Sequence, residues 1–175
     1  MDNNKKNTET QINTISEKVV NSPRETLGVI NQEFLLQSLG SLARKQPVCL
    51  DQDTLVTDAV ITILESKVGS ALLLDQNLKV VGIFTERDYL KHFAKGERDP
   101  KSTKLKEVST MNPVLVTPET TLAYGLNLMS LGGFRHLPVI DETGHAIGVV
   151  SVRDVIDRIS ESLVNDLLAF ELPAD

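Results

Sequence analysis

The apolar positions of the chain follow two rhythms that alternate twice. Short extended runs at 48–50 and 114–116 end in polar residues, and each is followed by a segment, 56–67 or 122–131, whose apolar residues recur at helical spacing. Two compact apolar runs come next in each case. Residues 71–74 and 80–84 flank Asp75-Gln76-Asn77, and residues 137–140 and 146–150 flank the stretch from Asp141 to Gly144, so each pair predicts a strand hairpin around a polar turn. A second helix is predicted to start at Thr85 and again at Ser151.

The two halves register on each other at an offset of 66 residues without a gap, from about Leu39 against Leu105 to Phe93 against Ile159. Leu39 falls on Leu105, Pro47-Val48 on Pro113-Val114, Thr54 on Thr120, Asp75 on Asp141, Gly82 on Gly148, and Arg87-Asp88 on Arg153-Asp154. Apolar positions between these points match in type. The order strand, helix, strand, strand, helix predicts an α/β (α+β) fold. It consists of two pseudo-twofold-related repeats, each a three-stranded mixed sheet with two helices, plus N- and C-terminal helices. One unit of about 55 residues buries too little surface to stand alone, so the two sheets are expected to pack together. The expected organisation is a disordered polar segment at 1–27, an N-terminal helix and first repeat at 28–94, a charged linker at 95–104, a second repeat at 105–160, and a C-terminal helix and tail at 161–175. The N-terminal helix would dock Phe34, Leu35, Leu39 and Leu42 on the module.

Composition narrows the function classes. No apolar run reaches the roughly 18 residues of a membrane span, and the polar N-terminus does not read as a secretory signal. A net charge of −6 with 4% aromatic residues argues against a nucleic-acid platform. The single cysteine forms no internal disulfide, which agrees with a cytoplasmic location, and with three scattered histidines it matches no metal-ligand spacing. Cys49 is expected in a buried strand as an inert thiol, and His92 and His145 on the surface. No nucleophile with a base, Walker-type loop or carboxylate pair nominates a catalytic site, so a non-enzyme is expected and no cofactor is required.

Gly82-Ile83-Phe84-Thr85-Glu86-Arg87-Asp88, its counterpart Gly148-Val149-Val150-Ser151-Val152-Arg153-Asp154, and the preceding Phe134-Arg135-His136-Leu137-Pro138-Val139-Ile140-Asp141 resemble the tandem cystathionine β-synthase-type (CBS) domain pair, or Bateman module. The resemblance covers about 120 of the 175 residues. Many members of that family carry a Met-Thr pair before the first strand of each half. Here the corresponding stretches are Ser109-Thr110-Met111 and Ala43-Arg44-Lys45.

The repeated motif has two physical readings. In the first, Thr85 and Ser151 cap helices and Asp88 and Asp154 complete near capping boxes, worth about 1 kcal/mol each. In the second, the helix N-terminus and hydroxyl suit a phosphate, the aspartate suits ribose hydroxyls, and Gly82 and Gly148 leave room for a ligand. The resemblance implies the second, because CBS pairs bind adenosine-containing ligands in two clefts between their halves.

Mapped residue by residue, the resemblance implies one cleft with Thr85, Asp88, Leu115, Thr117, Arg135, His136, Leu137 and Pro138. The other would hold Ser151, Arg153, Asp154, Cys49, Asp51, Gly69, Ser70 and Ala71. The first set has a cation, an imidazole and a hydroxyl, whereas the second has an extra carboxylate, with Arg153 as its one potential cation. Charge therefore predicts the Asp88 cleft as the stronger nucleotide site. For Arg135 and His136 the alternative is a solvated turn, and for Asp51 a turn carboxylate.

The leading expectation is a regulatory sensor of an adenine nucleotide (AMP, ADP or ATP) that acts by conformational change on an unidentified regulated protein. It is expected to form a homodimer through its helices, with no nucleic-acid or membrane partner. The alternatives are a structural interaction module with vacant clefts, or binding of an S-adenosylmethionine-type ligand.

Overall fold

The computed structural model describes residues 30–43 and 46–169. In chain order the elements are α1 (Gln32–Leu36), β1 (Cys49–Asp51), α2 (Val56–Glu65), β2 (Ser70–Leu74), β3 (Val80–Thr85) and α3 (Glu86–Phe93). They continue with β4 (Thr110–Met111), α4 (Leu122–Gly132), β5 (His136–Ile140), β6 (Ala146–Ser151) and α5 (Val152–Ala169). The α/β class expected from the pattern is observed. Residues 1–29, 44–45 and 170–175 lie outside the described residues, and with them the expected disordered segment at 1–27 and the end of the C-terminal tail.

The hairpins β2–β3 and β5–β6 are copies in register as well as in sequence. Ser70 pairs with Thr85 and His136 with Ser151, and both ladders shift register at the same place, after Leu73 and after Val139. The turns are held alike. Asp75 Oδ1 accepts hydrogen bonds from the amides of Asn77 (2.8 Å) and Lys79 (2.9 Å), and Asp141 Oδ1 accepts them from Thr143 and His145 (both 2.9 Å). Carboxylates in such turns replace the backbone partners the loop lacks.

The first strands differ. β1 pairs in parallel with β2, and the Leu72 amide donates to Val48 O at 2.8 Å. The counterpart of Leu72 is Pro138, which has no N–H, so that bond cannot form in the second repeat. Only a single parallel bridge, Val116 with Val139, remains where a third strand is expected.

The leading segment of each repeat crosses to the other half. Leu105 donates to Thr54 O (2.9 Å) and Leu39 to Thr120 O (2.8 Å), while Val56 donates to Thr103 O (3.0 Å) and Leu122 to Gln37 O (2.8 Å). Leu105 is thereby fully buried with Val56, Ala59, Ile63 and Phe84 of the first repeat, and Leu39 with Leu122, Met129, Leu137 and Val139 of the second. A third core, Leu72, Val80 and Ile83 with Leu115, Ile140 and Val149, forms where the two sheets meet. Lys79 bridges to His145, its own counterpart, and so marks the pseudo-twofold axis.

This exchange explains two departures from expectation. Of the expected N-terminal helix, the described residues 30–43 form only α1 and then a 3-10 turn at Leu39–Ser41, because the chain must extend to pair with the other half. Gly82 and Gly148 do not open space for a ligand. A Cβ on Gly82 would stand 3.0 Å from Met111 Sδ on β4, and one on Gly148 2.6 Å from Ala43 Cβ. At the far end α5 runs unbroken past the expected boundary at 160, since no breaker separates Ser160 from Glu161.

Candidate functional site

Thr85 and Ser151 end their strands in extended conformation and start α3 and α5. The Thr85 amide and hydroxyl both donate to Asp88 Oδ2, at 2.9 and 2.7 Å, and the Asp88 amide reaches back to Thr85 Oγ1 at 3.4 Å. Ser151 and Asp154 repeat the arrangement at 2.7, 2.5 and 3.3 Å. Both are capping boxes, so the motif performs the structural role that local chemistry foresees. Neither aspartate's Oδ1 has a hydrogen-bond partner among the described residues, and both carboxylates are only half-buried.

Each helix start opens on a cavity. The smaller, of about 240 Å³, is lined by Thr85, Asp88, Arg87 and Ile83 from the first half and by Asn112, Pro113, Val114, Phe134, Arg135 and His136 from the second, with Gly69 and Glu86 beside them. The larger, of about 990 Å³, contains the 66-residue counterparts of all of these: Ser151, Asp154, Arg153 and Val149, then Gln46, Pro47, Val48, Val68, Gly69 and Ser70, with Arg135 and Val152. The remaining lining residue of the smaller cavity is Thr110, whose counterpart Arg44 lies outside the described residues. The duplication thus extends to the clefts.

Of the residues expected at the Asp88 cleft, Thr85, Asp88, Arg135 and His136 come together. Leu115, Thr117, Leu137 and Pro138 do not line it: Leu137 and Pro138 are buried, Leu115 packs between the sheets, and Thr117 is exposed in a turn. At the Asp154 cleft, Ser151, Arg153, Asp154, Gly69 and Ser70 meet, whereas Cys49, Asp51 and Ala71 do not. The opposing strand contributes its start, Pro113-Val114 or Pro47-Val48, and not its end. Asp51 Oδ1 instead accepts the Asp53 amide at 2.7 Å, the turn role that was its alternative. Cys49 is exposed on a three-residue strand at the sheet edge, contrary to the buried position expected, although packing around its sulfur pushes the thiol pKa up.

The expected charge contrast fails for the same reason. With Asp51 absent, the larger cleft holds Lys67, Arg135, Arg153 and Arg158 against Glu86, Asp154, Asp157 and Glu161, and the smaller holds Arg87 and Arg135 against Glu86 and Asp88. What distinguishes the Asp88 cleft is its tighter apolar wall of Ile83, Pro113, Val114 and Phe134. His136 lies against Gly69, where a Cβ would stand 3.3 Å from Nε2. Burial, reinforced by Arg135 and partly opposed by Asp154 and Glu86, lowers the imidazole pKa.

Asn112, Glu86 and Phe134 with its counterpart Val68 are cleft residues that sequence reasoning passed over. The signal for the opposing wall was available in the Pro-Val identity of the two halves. Among the described residues no helix is long and apolar enough to cross a membrane, and no group of three or more His, Cys, Asp or Glu residues is placed to hold a metal ion.

The CBS domain family profile matches residues 39–95 and 105–161. A CBS domain-containing protein of Arabidopsis thaliana, CBSX3, mitochondrial, is 38% identical over 115 residues. That alignment covers 63% of this chain and 55% of the relative, so the chain spans just over half of that protein's length. A CBS domain protein from Pyrobaculum aerophilum complexed with AMP matches with a TM-score of 0.65 at 22% identity, over 73% of this chain and 98% of that one. The CBS domain pair of protein MJ0100, in complex with 5′-methylthioadenosine and S-adenosyl-L-methionine, matches with a TM-score of 0.65 at 18% identity, over 72% and 98%. At these identities the structural matches speak for the fold. The profile, two copies in tandem over most of the chain, decides the family: this chain belongs to the tandem CBS domain proteins.

Proposed function

We propose that the protein is a regulatory, non-catalytic module that binds an adenosyl ligand, with an adenine nucleotide (AMP, ADP or ATP) as its ligand in the Asp88 cleft. The observation that carries this reading is the residue-by-residue equivalence of the two cavities. Each sets a hydroxyl, an aspartate with one oxygen unengaged and a helix N-terminus opposite an apolar Pro-Val wall. The AMP and S-adenosyl-L-methionine complexes of proteins with the same fold support it. Asp88 Oδ1 would accept the ribose hydroxyls, the wall of Pro113, Val114 and Phe134 would cover the base, and Arg135 and His136 would meet phosphate.

Each cleft is built from both halves, so a ligand that favours one relative packing shifts the module towards it, and equal affinity for two packings shifts nothing. Exposed Leu90 on α3 and Leu131 on α4, which line neither cavity, offer apolar helix surface for a homodimer and for passing the change to a regulated protein. A cytoplasmic location belongs to the same proposal. The second reading, an interaction module with vacant clefts, is favoured by the capping boxes, which explain hydroxyl and aspartate without a ligand.

Thermal unfolding of nucleotide-stripped protein with AMP, ADP, ATP and S-adenosyl-L-methionine tests the reading. A ligand at 100 times its Kd stabilises by about 2.7 kcal/mol, which raises Tm by roughly 5–10 °C in a protein of this size. No shift with any of the four at millimolar concentration would leave the interaction-module reading.

A further inference from the structure

Gly69, Glu86, Arg135 and His136 line both cavities, and they meet near the centre of the module. The meeting point is not symmetric. The counterparts of Arg135 and His136 are Gly69 and Ser70, so one half supplies a guanidinium and an imidazole where the other supplies no side chain and a hydroxyl. The gap at Gly69 is what admits the imidazole, since any Cβ there would press on Nε2. Both helix starts are attached to the same place: the Glu86 amide donates to Gly69 O at 3.3 Å and the Val152 amide to Arg135 O at 3.0 Å.

Building on the adenosyl reading above, we propose that Arg135 and His136 form one phosphate-binding wall shared by the two clefts. Ligand phosphates compete for it, and the chain holds one phosphorylated adenosyl ligand tightly while its other cleft takes an uncharged nucleoside.

A guanidinium makes its bidentate pair with one phosphate at a time. Among the described residues Arg135 is in no ion pair, so it is available from either side. Once one phosphate holds it, a second brought to the same wall meets net negative charge instead of a cation, and the Glu86 carboxylate, which lines both cavities beside His136, adds to that repulsion. The other arginines of the larger cleft belong to it alone and lie along α5, Arg153 facing Asp157 at 3.8 Å and Arg158 facing Glu161 at 3.6 Å in weak surface pairs, so neither is shared with the Asp88 cleft. Lys67 is the remaining cation there, at the end of α2 and on the other half from Arg135. The second phosphate is therefore weakened and not abolished, by a factor on the order of tenfold or more, within the usual range of coupling between sites.

The test is calorimetric titration of the full nucleotide-stripped chain, first with AMP, then with adenosine added to the AMP-saturated protein, repeated on Arg135→Gln and Arg135→Lys. The expected result is one tight AMP per chain, a second at least about tenfold weaker, and uptake of one adenosine by the AMP-loaded protein. In Arg135→Gln the tight AMP weakens and the gap between the two sites closes, whereas Arg135→Lys retains the gap. Two AMP molecules bound with affinities within about threefold of each other would overturn the shared wall while leaving the adenosyl reading intact. So would one AMP followed by no adenosine, which describes a single working cleft. Failure of AMP and adenosine alike would remove the nucleotide assignment itself, and the wall with it.

Discussion

Lys67 and Gly133 stand at the same position of the two repeats, just past the ends of α2 and α4, and both are left-handed, with φ of 55° and 66°. At Lys67 the turn closes with its amide on Leu64 O (3.1 Å) and the Val68 amide on Ile63 O (3.2 Å), a Schellman arrangement that normally carries glycine. A side chain in this conformation costs roughly 1–2 kcal/mol, and Lys67 is also a cation of the larger cleft. Strain of this kind collects where a side chain has another use.

Lys67→Gly is therefore expected to raise stability by about 1 kcal/mol, after allowance for the extra freedom glycine gives the unfolded chain. Urea unfolding measures this directly. Unchanged or lower stability would mean the left-handed turn carries no strain at Lys67.

The exchanged leading segments fix the tolerance of the two motif glycines. Gly148→Ala sets a methyl 2.6 Å from Ala43 Cβ and 3.3 Å from the Ala43 backbone, so the segment itself must move, at a cost of about 1–3 kcal/mol. Gly82→Ala meets the ends of the Met111 and Leu73 side chains at 3.0 and 3.1 Å, which yield by rotation, and Leu73 Cβ at 3.2 Å, which needs a shift of only about 0.2 Å. Comparative urea midpoints should show Gly148→Ala as the more damaging of the pair, and the reverse order would contradict the described approach of Ala43.

The hairpins, their polar turns and the two helices of each half were legible because the 66-residue register let each copy check the other. The capping boxes were legible because a hydroxyl with an aspartate three residues on, placed where an extended apolar run gives way to helical spacing, is the signature of a helix start. The opposing wall of the clefts, expected at Leu115 and Thr117 and at Cys49 and Asp51, lies at the start of the same runs, Pro113-Val114 and Pro47-Val48. Pro47-Val48 and Pro113-Val114 repeat in the sequence, but a short apolar run does not say which end of it faces a neighbouring domain half. The crossing of Leu39 and Leu105 depends on the path between halves, to which local pattern is blind. The reduced third strand of the second repeat was readable in principle, since Pro138 removes the amide that Leu72 uses.

His136 predicts a pH dependence. Burial, with Arg135 and Arg87 adding to it and Asp154 and Glu86 opposing, lowers its pKa in the folded protein below the ordinary value of 6.5. The unfolded chain then takes up a proton before the folded one does. This contribution to stability is complete above the ordinary value and is lost as pH falls through the lowered one. His136→Gln should flatten the decline in Tm on acidification below about pH 6.5. A decline as steep as that of the parent would show that other groups cause it.

The capping boxes can be tested apart from ligand. Thr85→Ala and Ser151→Ala are each expected to cost about 1 kcal/mol in urea unfolding, and Thr85→Ser, which keeps the hydroxyl that Asp88 uses, a few tenths at most. Equal losses for Thr85→Ser and Thr85→Ala would mean the methyl and not the cap is responsible.

Binding of an adenine nucleotide through the Asp88 carboxylate is read from isothermal titration of AMP into the parent protein and into Asp88→Ala, with Asp154→Ala alongside. The expected result is micromolar binding by the parent, at least about a tenfold loss in Asp88→Ala, and tight binding retained in Asp154→Ala. Undiminished binding in Asp88→Ala together with loss in Asp154→Ala would contradict it and move the nucleotide to the larger cleft.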